Sequence, residues 1–76
     1  MKKSKHSYHV ILTAEPEGGF TITIPAFPDY VGFAETQEQA LELAREGIHF
    51  ELDRLQEEGK PPPANPAPPT VVRVAA

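Results

Sequence analysis

Cysteine is absent from the 76-residue sequence, which excludes disulfides and thiolate metal sites. Histidine is scarce. His6, His9 and His49 are the three present, and none has a partner at metal-ligand spacing. No apolar run approaches the ~20 residues a bilayer-spanning helix needs. The basic start, Met1 to His6, leads into no continuous apolar segment, so it does not read as a secretory signal. A cytoplasmic, non-membrane protein is the expectation.

Positive charge is also sparse. Seven Lys and Arg face eleven Asp and Glu, for a formal net charge of −4. Lys2, Lys3 and Lys5 cluster at the start and the rest are scattered, so there is no basic stripe of the kind a dedicated nucleic-acid binder carries. An acidic surface suits a basic partner. A chain this short buries only about 60% of the surface its unfolded form exposes. With disulfides and metal set aside, oligomerisation is the stabilising device that remains, and a homo-oligomer is expected.

The order of elements can be read from periodicity. Tyr8 to Ala14 alternates as a strand, with Tyr8, Val10, Leu12 and Ala14 on one face. Glu15-Pro-Glu-Gly-Gly19 is a five-residue turn, and Phe20 to Ile24 alternates cleanly as its partner strand. Pro25 ends that strand because it lacks an amide donor. Pro25 to Asp29 reads as a rigid connector, and Tyr30 to Ala34 as a short third strand weakened by Gly32.

Thr36-Gln-Glu-Gln39 has the spacing of a capping box, and Glu38 falls where the helix dipole favours an acid. Gly59 and Pro61 mark the other end. The helix is therefore expected over Gln37–Glu58. Its 100° periodicity separates two apolar stripes. Leu41, Ala44, Ile48, Leu52 and Leu55 form the stripe expected to pack on the sheet. Leu43 and Phe50, with Gly47 between them, fall nearly opposite. The bland reading of that second stripe is a helix buried on two sides, or two tolerated exposed residues. The sharper reading, adopted here, is an intermolecular contact, with Tyr30 and Phe33 of the third strand added to it. Lys60 to Pro69 holds six of the nine prolines and is an extended, semi-rigid connector. Thr70 to Val74 reads as a fourth strand, pairing beside the first strand or with another chain. The fold class expected is α+β: a three-stranded antiparallel sheet with one long helix on one face and a C-terminal fourth strand (β-β-β-α-β). Residues 1–76 form a single domain with its core in 8–58.

Catalytic and cofactor-binding parts are not found. Gly18-Gly19 is a hairpin turn rather than a phosphate loop. Ser7 is the one free-standing nucleophile near a strand end. His9 has no carboxylate placed beside it, and a structural or surface role fits it better than catalysis. His49 lies on a solvated helix flank near Glu46 and Asp53. Converging carboxylates would be needed for two-metal hydrolysis. Glu15, Glu17, Asp29 and Glu35 sit in turns or beside the third strand, so no metal site is expected.

From Tyr8 to Pro63, about three quarters of the chain, the sequence resembles the HicB-like antitoxin family. The matching pieces are Tyr8-His-Val10, Gly18-Gly19-Phe20, Thr21-Ile-Thr-Ile-Pro25, Phe27-Pro28, Glu35-Thr36, Glu38-Gln-Ala40, Ala44 and Leu55-Gln-Glu-Glu-Gly59 with its prolines. Pro28-Asp29-Tyr30 stands where the family favours Pro-Gly-Cys, Ala34 where it favours glycine, and Gly47 where alanine is usual. The resemblance implies a partial ribonuclease-H-like fold and an antitoxin of a type II toxin–antitoxin system. It also implies a small mRNA-cleaving HicA-like toxin as partner, and dimers or tetramers. It carries no nuclease activity, because the first strand has no acidic residue to hold the metal. Many family members continue into a DNA-binding domain. This sequence stops at Ala76, so direct operator binding is not expected. The expected function is therefore a module that masks a basic toxin by protein–protein contact. The alternatives are a solitary oligomeric domain with a structural or regulatory role and, less favoured, a small metal-dependent nuclease.

Overall fold

The computed structural model describes residues 7–66 together with Val72, Val74 and Ala75. Three antiparallel strands precede one helix: β1 Ile11–Ala14, β2 Phe20–Ile24, β3 Phe27–Ala34 and α1 Gln37–Glu57. The sheet order is β1-β2-β3, an α+β arrangement with the helix on one face.

The hairpin forms as its sequence dictates. Gly18 and Gly19 take positive φ, 105° and 82°, which only glycine adopts freely. The Glu15 N–H donates to Gly19 O at 3.0 Å, and the Gly18 N–H to Glu15 O at 3.0 Å. Two expected strand boundaries are corrected. β1 begins at Ile11 rather than Tyr8, because Pro25 ends β2 and nothing continues the ladder beyond Ile11↔Thr23. Tyr8 and Val10 still pack on the core from outside the ladder. β3 begins at Phe27, so Pro25-Ala26 is a tight turn and not the start of a long connector. Pro28 is tolerated because β3 is an edge strand. Pro28, Asp29 and Tyr30 bulge between the Ile24↔Phe27 and Thr23↔Val31 pairs.

Helix α1 starts on Thr36, whose Oγ1 accepts from the Gln39 N–H at 3.1 Å. Gln39 Oε1 reaches one residue past the cap, accepting from the Glu35 N–H at 3.3 Å. At the other end the Lys60 N–H donates to Leu55 O and the Gly59 N–H to Gln56 O. With Gly59 at φ 71°, these bonds make a Schellman stop.

The core is thin. Ile22, Ile24, Phe27, Ala34, Ala40 and Ala44 are its buried members. Tyr8, Val10, Leu12, Ala26, Tyr30, Ile48, Leu52 and Leu55 pack around them. The line of closest approach on the helix is Ala40-Ala44-Gly47, all small, which lets the helix backbone approach the sheet. Of the stripe expected to pack on the sheet, Ala44, Ile48, Leu52 and Leu55 do so, whereas Leu41 is exposed. Most of the expected fourth strand, Thr70 to Val74, lies outside the described residues. Of its members Val72 and Val74 are described; both are exposed, and no strand is assigned to them.

Candidate partner-binding surface

Leu43 and Phe50 stand apart from the stripe that packs on the sheet, with Phe50 largely exposed and Leu43 at the border with β3. At 100° per residue they lie roughly 60–80° from Ala40 on one side, and Leu41 and Leu52 roughly 100–120° on the other. The Leu43 flank borders β3, and the Leu41 flank borders Ser7, Tyr8 and Val10, which precede β1. Tyr30 leans from the β3 bulge onto the helix, where its hydroxyl donates to Leu43 O at 3.3 Å. A Cβ added at Gly47 would lie 2.5 Å from Tyr30 Cε1. Of the five residues expected at an interface, Gly47 and Tyr30 are therefore packed largely against each other, whereas Leu43, Phe50 and Phe33 reach solvent.

Phe50 is 67% exposed, Phe33 55% and Leu43 38%, and Val31, which sequence periodicity did not single out, is 68% exposed. Val31 and Phe33 project from the sheet face that the helix does not cover, beside Thr21 and Thr23 of β2, with which they are paired. Phe33 is seated on the turn: a Cβ at Gly19 would lie 2.5 Å from its Cζ. The strip thus runs from the open sheet face, round the β3 edge, to the helix flank.

Carboxylates border this strip. Glu15, Glu17 and Glu35 line a depression of about 530 Å³ with Gly18, Gly19 and Phe33. Glu35 and Glu42 line a second, of about 360 Å³, with Gln39, Leu43 and Phe33. Glu15 is held in place by the Thr21 hydroxyl, which donates to its Oε2 at 2.6 Å. No Lys or Arg lines either depression. The described cations are ion-paired along or just beyond the helix: Arg45 with Glu42, Arg54 with Glu51 and Glu58, and Lys60 with Glu58. Among the described residues no group of three or more His, Cys, Asp or Glu is arranged to hold a metal ion. His9 and His49 are both exposed.

On the β1 side the chain closes on itself. The carboxamide of Asn65 donates to Ser7 O at 2.6 Å and accepts from the His9 N–H at 3.0 Å. This is the pattern a residue of a parallel strand would make on either side of Tyr8. The Tyr8 hydroxyl donates to Pro63 O at 2.9 Å, and its ring meets Phe27 edge-on at 5.2 Å. Burial pushes the Tyr8 phenol above its ordinary pKa. Asn65 was not singled out from the sequence, because a proline-rich connector carries no local signal of where it docks.

No helix among the described residues is long and apolar enough to cross a membrane. No family model matches the chain, and no curated protein is significantly similar to it.

Proposed function

We propose that the protein is an antitoxin-like binding module that masks a small, basic, RNA-cleaving protein of the HicA-like kind. The observation that carries this reading is the apolar strip Val31, Phe33, Leu43 and Phe50, bordered by carboxylates. An apolar patch in an acidic frame favours a partner with an apolar centre and a basic rim. The HicB-like resemblance names such a partner. Two of its departures also compensate each other: tyrosine at position 30 fills the space that glycine at position 47 leaves. The partial ribonuclease-H-like fold belongs to the same proposal, with Thr70 to Val74 as a fourth strand. The Asn65 clamp on Ser7 and His9 supports it by bringing the connector to the head of β1. Co-expression with the product of the adjacent small gene tests the function. Co-purification and relief of growth arrest are expected, and absence of both overturns the reading.

The thin core favours a second reading, a solitary oligomer in which the same strip meets another copy. In sedimentation, Phe50→Asp should then shift the pure protein towards monomer. An unchanged mass removes that reading.

A further inference from the structure

We infer that the open edge of β3 at Val31–Phe33 takes up an extended, cation-flanked strand of a partner protein, adding it to the sheet. This deepens the masking function and rests on it for the partner's identity, not for the chemistry of the surface.

The ladder fixes which main-chain groups face outward. The Glu15–Gly19 bond turns the main-chain groups of Glu15 towards β2. Alternation along antiparallel strands then turns Thr13 and Ile11 the same way. It directs Phe20 and Ile22 of β2 to Ala34 and Gly32 and leaves the N–H and C=O of Val31 and Phe33 facing outward. The next outward N–H, at Glu35, is taken by Gln39, which ends the edge on one side. Pro28 and the bulge end it on the other. Between them lies a short stretch, Val31, Gly32, Phe33 and Ala34, with no charge and no proline of its own, the proline and the bulge of this strand being confined to its other end.

The surroundings suit an added strand. Val31 and Phe33 stand on one side of this edge, and Leu43, which shares a depression with Phe33 and Ala34, stands on the other. A strand laid along the edge would bury apolar side chains above and below its own backbone, the combination by which strand addition works. Charge selects the occupant. Glu15, Glu17 and Glu35 line the depressions here, with Glu42, which also meets Arg45 at 3.6 Å, and no cation lines them. Two copies of this edge would bring like charges together, whereas Lys or Arg on both sides of an incoming strand would be paired.

The probe is a peptide of about ten residues, alternating valine and threonine between paired lysines, with a glutamate-flanked counterpart. Titrated into the full chain labelled for NMR, the lysine peptide should bind and slow amide exchange at Val31 and Phe33 by about tenfold or more. The glutamate peptide should bind about tenfold more weakly. Val31→Lys should abolish this protection without changing the melting temperature. Glu35→Lys with Glu42→Lys should invert the preference between the peptides. Protection at Leu12 and Ala14 instead, no protection anywhere, or protection of β3 by concentration alone as the mass doubles would each overturn the inference. If the peptide pairs as stated but the adjacent gene product is neither bound nor neutralised, this surface stands and the antitoxin reading falls. If that product is neutralised equally by Val31→Lys, the antitoxin reading stands and strand addition falls.

Discussion

The two flanks of the helix differ in what finishes them. On the β1 side, Tyr8, Pro63 and Asn65 tie the connector to the start of the sheet through three hydrogen bonds. On the β3 side, Tyr30 and Gly47 make one tight contact, and beyond it Val31, Phe33, Leu43 and Phe50 are left to solvent. Leu41 and Ile11 are also exposed on the β1 side, where Leu41 shares a depression with Tyr8, Val10 and Ile48, so the flanks differ in how much apolar surface they leave uncovered and in the charge that borders it. The β1 side uses its polar groups within the chain, and the β3 side leaves an edge strand with no further strand beside it among the described residues.

Four changes would sharpen or break this contrast. Ile22 is fully buried beneath both flanks. Ile22→Ala should cost about 2–5 kcal/mol in denaturant unfolding, enough to unfold a marginal domain at ambient temperature. A smaller loss would mean that neither flank depends on the core. Gly47→Ala should lose about 1 kcal/mol net. The added methyl meets the Tyr30 ring, at an overpacking penalty of about 1–3 kcal/mol, while the better helix propensity of alanine returns up to about 1 kcal/mol. Adding Tyr30→Cys should restore stability, and a non-additive double-mutant cycle would confirm the pairing. Additive effects would show that the β3 flank is loosely packed.

Asn65→Ala removes two exposed hydrogen bonds and should cost about 1 kcal/mol. Amide exchange at His9 should rise while that at Val31 stays unchanged, and equal acceleration at both would contradict the separation of the flanks. The smallest effect concerns Glu58 at the helix end. Lys60 first, and Arg54 second, hold its carboxyl below the ordinary carboxylate range. A lowered folded-state pKa gives stability that is present above the unfolded value and lost as pH falls through the folded one. Thermal melts of Glu58→Gln should therefore match the parent at acid pH and fall slightly short of it at neutral pH. The group is exposed, so the difference should be close to the limit of measurement.

Much of the fold was legible in the sequence because it depends on local chemistry. Gly18-Gly19 specified the hairpin, Thr36 and Gln39 the helix start, and Gly59 its end. Helix bounds agreed to within one residue, Glu57 against Glu58. The start of β1 was misread because apolar alternation says where a side chain can pack, not whether a partner strand is present, and Tyr8 and Val10 pack without one. The start of β3 was misread because proline at position 28 suggested a connector, and only an edge position makes it compatible with a strand. The five expected interface residues divided for a similar reason. Helical periodicity placed Leu43, Gly47 and Phe50 on one side but could not show that Tyr30 would reach that side across a bulge.

Residue type and neighbours a few positions apart were enough to fix the order of the three strands and the helix, the caps and turns, the absence of thiols and the acidic balance. Only the packing of distant segments decided how far each flank of the helix's apolar surface is covered. That depends on contacts between residues far apart in the chain: Asn65 with Ser7 and His9, Tyr30 with Gly47, and Phe33 with Gly19. No local pattern encodes those meetings, because they exist only once the strands and helix have packed.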